Sequence, residues 1–418
     1  MNKRMHIAHF TNTYHPVISG VVRSVSTFRQ ALTDLGHNVF IFAQHASNYE
    51  DNEPFVFRYP ATIEIPLSQN FPFTIPVFPA LDELLLPPLK LDVIHSHHPI
   101  LLGRVAANKA EDFNLPLVFT FHTRYREYSH YLPIDQKFVK RAIDRWLGDY
   151  MERCQHIIVP SDSIKTMLAE QYGVSERVTT IPTGIDLTPF KTADGHSIRR
   201  KHGWGSDTVL ISIGRLAKEK NWDTLLAAAA QAMKKHDHIR LVIIGEGEEH
   251  KTLEKDAKKL GIAHRVEFLG KVPFEDIPGY LKAADMFCFA SVTETQGLVT
   301  MEAIAAGLPV VAVGASGTRD VIENDREGLL TDNDSAALAQ AILQVCDNES
   351  LRQRLIEGAQ KRAASFDVIT QAKKLLTVYQ QAIEDKKAER FVQVDKRKSI
   401  FKVIIDEEWW ENLLRSKK

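Results

Sequence analysis

Two glutamates, Glu294 and Glu302, stand eight positions apart in ETQGLVTMEAIAAGLPVVA, with Gly297 between them. The stretch around Glu302 is small and apolar, so a carboxylate there needs hydrogen-bond partners. Upstream, TVLISIGRLAKEKNWDTLL sets Gly214, Arg215 and Lys220 between a strand-like run and a helix starting near Asn221. A glycine that lets backbone approach closely, two cations and a helix N-terminus together suit a diphosphate. Vicinal sugar hydroxyls offer paired donors that a carboxylate accepts well. One acid for a hexose, one for a ribose and two cations between them describe a nucleotide sugar. Taken singly, each feature has a plainer explanation. Arg215 and Lys220 suit a solvated loop, and an acid at a helix start complements the macrodipole.

These residues need a scaffold that brings them together, and the chain has one. In the first half HIAHF (6–10), NVFIFA (38–43), DVIHSH (92–97), LVFTFH (117–122) and HIIVPS (156–161) read as buried strands. Helical patterns such as VRSVSTFRQALTDLG, closing at Gly36, lie between them. A second series follows: TVLISIG (208–214), RLVIIG (240–245), VEFLG (266–270), MFCFAS (286–291) and PVVAV (309–313). Alternation of this kind predicts two doubly wound, Rossmann-like α/β domains with parallel sheets. The Pro- and Gly-containing segment 179–190 separates them. The expected organisation is 1–184, 185–365, and a helical region with a tail over 366–418. Ligands of such sheets bind beyond the carboxyl ends of the strands, which is where every residue named above falls.

At 418 residues the chain is too long for one ordinary core. A net charge of −1 argues against a nucleic-acid partner. Cys154, Cys288 and Cys346 lie far apart without metal spacing, which points to reduced thiols and a cytoplasmic setting. No run is apolar enough for a signal peptide or a membrane span. A glycoside hydrolase also uses two carboxylates, yet it has no need of the cations beside them. A nicotinamide dehydrogenase is opposed by ISGVVRS, which replaces the G-x-G-x-x-G fingerprint after the first strand. A sugar-nucleotide sensor without turnover keeps the same donor site and stays open.

GRLAKEKN, GEGEE (245–249), VEFLGKV (266–272) and TETQGLVTMEAIAAGLPVVA together resemble the retaining glycosyltransferases of family 4, which have the two-domain GT-B fold. The resemblance spans nearly the whole chain. It implies that Arg215 and Lys220 bind the donor diphosphate, that Glu294 binds the transferred sugar and Glu302 the ribose. It also implies that backbone amides of Gln296, Gly297 and Leu298 face the sugar, with Lys271 and Val272 on the donor side. The family commonly has Phe where this chain has Gln296. Gly20, in HPVISGVVRSV, matches a glycine loop that touches the donor phosphates, and His122 a histidine beside the transferred sugar. A plain turn and a satisfied structural histidine are the simpler alternatives for these two.

FHTRYREYSHY (121–131) resembles the acceptor side of bacterial diacylglycerol glucosyltransferases, which also carry ETQGLV. The expectation is therefore a hexosyltransferase moving glucose from UDP-glucose to a lipid such as diacylglycerol, without a metal or further cofactor. Other acceptors (a phosphatidylinositol-type lipid, a soluble sugar, a polysaccharide) remain as alternatives. Tyr125, Tyr128 and His130 fall on that acceptor side. In KFVKRAIDRWLGDYMERC (137–154), Val139, Ile143, Trp146 and Tyr150 share one helical face while Lys137, Arg141 and Arg145 share another. Such a helix either lies in an anionic membrane interface or turns its apolar face to the core. A peripheral site on the inner face of the cell membrane is the localisation this implies. The tail around Lys396, Arg397, Lys398, Trp409 and Trp410 reads equally as an anchor, an oligomer contact or a packed element.

Overall fold

The computed structural model describes residues 4–17, 19–60, 64–65, 73–74, 84–126 and 136–395. Tyr128 and His130, the side chain of Lys137, and the tail from Lys396 onward lie outside the described residues. The first half contributes β1 (His6–Thr11), β2 (Asn38–Gln44), β3 (Val56–Tyr59), β4 (Glu64–Ile65), β5 (Phe73–Thr74), β6 (Val93–Ser96), β7 (Leu117–Thr120), β8 (His156–Val159) and β9 (Val178–Thr180). The second contributes β10 (Thr208–Ile213), β11 (Ile239–Ile244), β12 (Val266–Gly270), β13 (Met286–Phe289), β14 (Val310–Val313) and β15 (Gly328–Thr331).

Seven strands form one parallel sheet in the order β3-β2-β1-β6-β7-β8-β9. Six form another in the order β12-β11-β10-β13-β14-β15. β4 and β5 make a separate antiparallel pair. Each large sheet reverses its winding once, between β1 and β6 and between β10 and β13. A crevice opens at such a reversal because the loops leaving the two strands run in opposite directions.

Each sheet is covered on both faces, which is why its interior strands are near-continuous Val, Ile, Leu and Phe. One face of the first sheet is covered partly by the last helix, Val368–Lys387, through Leu375, Val378 and Tyr379. The chain therefore crosses between domains twice, side by side. Ile185 N–H donates to Phe366 O at 2.8 Å and Val368 N–H to Ile185 O at 3.1 Å. Gly184 permits this approach, since a Cβ there would stand 2.4 Å from Val368 Cα. The Gln136–Met151 helix turns its apolar stripe inward. Val139 and Tyr150 are buried and Ile143 and Trp146 pack on the same core, leaving Arg141 and Arg145 exposed.

A group of histidines near the carboxyl ends of β1 and β6 is enclosed in the first domain: His9, His95 and His97 are 0–1% exposed. Burial disfavours their charged forms, pushing His9 down to about 3 and His95 and His97 well below the ordinary imidazole value. On unfolding they regain the ordinary value, so the unfolded chain binds protons that the folded chain refuses. Stability conferred by their neutral forms is thus present above about pH 6.5 and is lost as the pH falls. Each fully buried histidine contributes a slope of about 1.4 kcal/mol per pH unit once the pH is well below that value. The expected result is a urea midpoint that falls steadily from pH 7 to pH 5. A midpoint independent of pH across that range would mean that these rings are solvated in the native state.

Candidate active site

The C-terminal wall is built where β10 and β13 diverge. Gly214 leaves β10 with its N–H on Ile244 O at 3.0 Å, and Trp222 Nε1 holds Arg215 O at 2.9 Å. The loop after β11 packs against this turn so closely that side chains are excluded. A Cβ on Gly245 (φ +143°) would lie 1.9 Å from Gly214 O, and one on Gly247 2.2 Å from Leu216 O. That is the physical content of GEGEE: it buttresses the loop that carries Arg215. Asn221, in the left-handed region, donates through Nδ2 to Ala290 O at 3.0 Å and so ties the β10 loop to the end of β13.

Across this junction Lys220 is ion-paired with Glu294. Ser291 Oγ donates to the same carboxylate oxygen at 2.8 Å, and Gly317 N–H holds Glu294 O at 3.1 Å. A Cβ on Gly317 would approach Glu294 O to 2.5 Å, so this glycine sets the position of the glutamate. Arg215 pairs with Glu219 and is half exposed. Such an exposed pair is worth at most about 1 kcal/mol and exchanges easily for an incoming anion.

Glu302 is 1% exposed on the Leu298–Ala305 helix, and its partner comes from the other domain. Arg23, on the Gly20–Asp34 helix, forms an ion pair with it and lies 4.2 Å above the Phe274 ring. Gly20, the first residue of that helix, faces Leu298: a Cβ there would stand 3.8 Å from Leu298 Cδ1. The amides of Gln296, Gly297 and Leu298 donate to no acceptor among the described contacts. The Gln296 side chain is buried and bonded to the interdomain link, accepting from Thr183 N at 3.0 Å and donating to Thr183 O at 3.1 Å. Further contacts close the domains, with Ser161 Oγ on Thr295 O at 2.8 Å and Ser163 N on Asp320 Oδ1 at 3.2 Å.

On the N-terminal wall His122 follows β7, is half-buried, and contacts His97 Nδ1 through Nε2 at 2.9 Å. Burial, with His98 and His9 nearby, pushes it down to about 3, so it is neutral at neutral pH. Tyr125 stands edge-on to Trp146 at 6.0 Å. Beside it is a cavity of about 370 Å³ lined by Phe121, Arg124, Arg126, Lys140 and Tyr172. Asp144 faces this group, accepting from Tyr172 Oη at 2.9 Å with Arg126 Nε at 3.5 Å.

The structure therefore brings Arg215, Lys220 and Glu294 to one crevice, with Glu302, Gly297 and Leu298 facing Gly20 and Arg23 across the domains. Lys271 is exposed and Val272 packs on the core beyond the edge strand β12. Arg23, Ser291, Phe274 and Gly317 were absent from the residues singled out in the sequence. Only Arg23 carried a signal, as a cation next to the glycine loop.

Comparison with known proteins follows the same division of the chain. Residues 18–189 match the family model described as Glycosyltransferase Family 4, and residues 195–362 the one described as Glycosyl transferases group 1. An alpha-monoglucosyldiacylglycerol synthase of Acholeplasma laidlawii is 30% identical over 394 residues, covering 91% of this chain and 98% of that protein. Its namesake from Streptococcus pneumoniae is 31% identical over 335 residues, 78% of this chain and 75% of the relative. The fold is that of Anabaena Alr3699/HepE, solved with UDP and glucose. The TM-score is 0.71 at 21% identity, covering 90% of this chain and 99% of the other.

The cross-domain ion pair yields a direct test. Arg23→Ala leaves the Glu302 carboxylate buried without its cation and is expected to cost about 1–3 kcal/mol in urea unfolding. Adding Glu302→Gln should recover most of that loss. Additivity of the two substitutions within about 0.5 kcal/mol would show that the residues are uncoupled.

Proposed function

The chain belongs to the family 4 glycosyltransferases, and from that premise we propose that it transfers glucose from UDP-glucose to diacylglycerol, keeping the anomeric configuration. The observation that carries this reading is the convergence of Lys220, Glu294 and Arg215 on the crevice between β10 and β13. The two synthases with which the chain shares most of its length support the acceptor.

In this reading the diphosphate lies against Arg215 and Lys220, the glucose against Glu294 and the amides of Gln296, Gly297 and Leu298, and the ribose against Glu302. Lys220 then exchanges one carboxylate for phosphate oxygens, and the ribose hydroxyls take over from the Arg23 guanidinium. As the glycosidic bond breaks, negative charge grows on the departing phosphate. Two cations already in place stabilise that charge more than they stabilise the ground state. Among the described residues none stands out as a covalent nucleophile. The acceptor hydroxyl approaches from the face the phosphate leaves, and a phosphate oxygen takes its proton. The cations make a metal ion unnecessary. Closure of the domains excludes water, which would otherwise compete for the sugar.

The acceptor would enter beside Tyr125, where Arg124, Arg126 and Lys140 line the cavity described above. Arg141 and Arg145 form the exposed basic face of the neighbouring helix and would rest on anionic lipid at the inner surface of the membrane, each cation contributing about 1 kcal/mol. Among the described residues no helix is long and apolar enough to cross a bilayer.

Incubation with labelled UDP-glucose and diacylglycerol vesicles should give labelled lipid, and Lys220→Ala or Glu294→Ala should reduce the rate by about a hundredfold or more with the fold retained. Wild-type rates in either variant would break the site assignment, whereas tight UDP binding with no labelled lipid would favour a sensor. Binding to anionic vesicles should weaken between low and high salt and fall again in Arg141→Ala/Arg145→Ala. Equal partitioning at both salt concentrations would remove the membrane contact.

A further inference from the structure

The buried histidines of the first domain are linked end to end. His122 Nε2 lies 2.9 Å from His97 Nδ1, and His97 Nε2 lies 2.9 Å from His9 Nδ1. His9 Nε2 is 3.3 Å from Tyr379 Oη, which is 2.7 Å from His95 Nδ1. His95 Nε2 ends the chain 2.6 Å from Thr120 Oγ1. Both ring nitrogens of His9, His95 and His97 are thereby used.

A neutral imidazole has one donor and one acceptor nitrogen, and a hydroxyl has one hydrogen. Each imidazole transmits the direction of one bond to the next. Tyr379 breaks that direction only by accepting from both His9 and His95, which leaves its own buried hydrogen without an acceptor among the described residues; two uniform arrangements remain. If His122 donates at one end, every hydrogen runs toward Thr120. The Thr120 hydroxyl hydrogen, in a site 6% exposed, is then left without an acceptor among the described residues. If Thr120 donates instead, its hydrogen goes to His95 Nε2, His95 Nδ1–H to Tyr379, Tyr379 O–H to His9 Nε2, His9 Nδ1–H to His97 Nε2, and His97 Nδ1–H to His122 Nε2. Every buried hydrogen is then used. An unsatisfied buried donor is costly, so the second arrangement prevails.

We infer that this relay holds His122 as a single neutral tautomer that presents Nδ1–H as a hydrogen-bond donor for a substrate oxygen, with His97, His9 and Tyr379 as positioning residues behind it. The inference rests on the reading of His122 as a residue beside the transferred sugar. It adds a role for the C-terminal helix, because Tyr379 is delivered to the first domain by Val368–Lys387.

One ring nitrogen from each of His9, His95 and His97 also lies within 4.8 Å of the others, the spacing of a metal cluster. Two nitrogens on a tetrahedral zinc at 2.0–2.1 Å stand about 3.3 Å apart or more. At 2.9 Å, the nitrogens of His9 and His97 are separated by a hydrogen bond. Burial of the rings and their lowered affinity for protons agree with an uncharged chain.

The test is a long-range proton–nitrogen NMR spectrum of the full chain labelled with ring-¹⁵N histidine at neutral pH, with His122 assigned from the spectrum of His122→Gln. A protonated Nδ1 and a bare Nε2 on His122 are expected. Tyr379→Phe, which removes one hydroxyl from the middle, should bring the two His122 nitrogen signals toward each other as tautomers mix. The same variant should lower kcat for sugar transfer by about two- to tenfold with KM for UDP-glucose unchanged. In the unsubstituted protein, a protonated Nε2, averaged signals or a charged ring would overturn the relay, whether or not Tyr379→Phe folds. So would one equivalent of zinc in the purified protein whose removal shifts these signals. Ordered signals in a protein that transfers no sugar would sink the proposed function and leave the relay standing.

Discussion

The C-terminal half is organised around the meeting of Lys220 with Glu294. A lysine and a glutamate distant in sequence come together because β10 and β13 are neighbours and the winding of the sheet reverses between them. The glycines of the neighbouring loops follow from that meeting. Gly245 and Gly247 let one strand-end loop brace the other, and Gly317 lets the start of the Ser316–Val321 helix reach Glu294. Each excludes a side chain at the point where backbone must touch backbone. The crevice is thus shaped by packing that has no charge of its own.

The second constraint is that the halves face each other through unlike walls joined by few polar ties. Arg23 reaches from the first domain to Glu302 in the second, and Gln296 holds the interdomain link at Thr183. The side-by-side crossings at Ile185 and Phe366 give the domains a common hinge, while the last helix anchors the return crossing in the first core. For the proposed transfer, contacts at the cleft that a substrate could replace and a fixed connection behind it are what domain closure would require.

Most of this framework was legible because interior strands of a parallel sheet are buried on both faces and read as apolar runs. The three strands of the large sheets that the reading omitted, β3, β9 and β15, all lie at sheet edges, where half-exposed residues break the apolar pattern. The helix after β7 was ambiguous for a different reason. An amphipathic stripe looks the same whether it meets a bilayer or a core, and here Val139 and Tyr150 are enclosed while Trp146 packs against Tyr125. Glu302 announced that it needed a partner but not which one, since Arg23 lies 279 positions away. The Gln296 side chain, at a position read as part of the sugar site, is directed to the interdomain link. No periodicity or motif encodes such a pairing, because it arises only when two independently folded sheets face each other.

The walls of the cleft also divide the electrostatic work. Arg215, Lys220 and Glu294 bring formal charge to the second domain, while the strand ends of the first offer His97 and His122, which are neutral at neutral pH. For the proposed transfer this asymmetry has a direct consequence. Breaking a glycosidic bond places positive charge on the sugar ring and negative charge on the departing phosphate. Cations belong beside the phosphate, and a charged imidazolium beside the ring would oppose the reaction. Burying a run of histidines without a carboxylate is a means of keeping an imidazole in contact with the sugar yet uncharged, because desolvation acts on every ring in the chain at once. In the proposed transfer, the same enclosure that is expected to make the first domain sensitive to acid would let His122 offer a hydrogen bond without offering a charge.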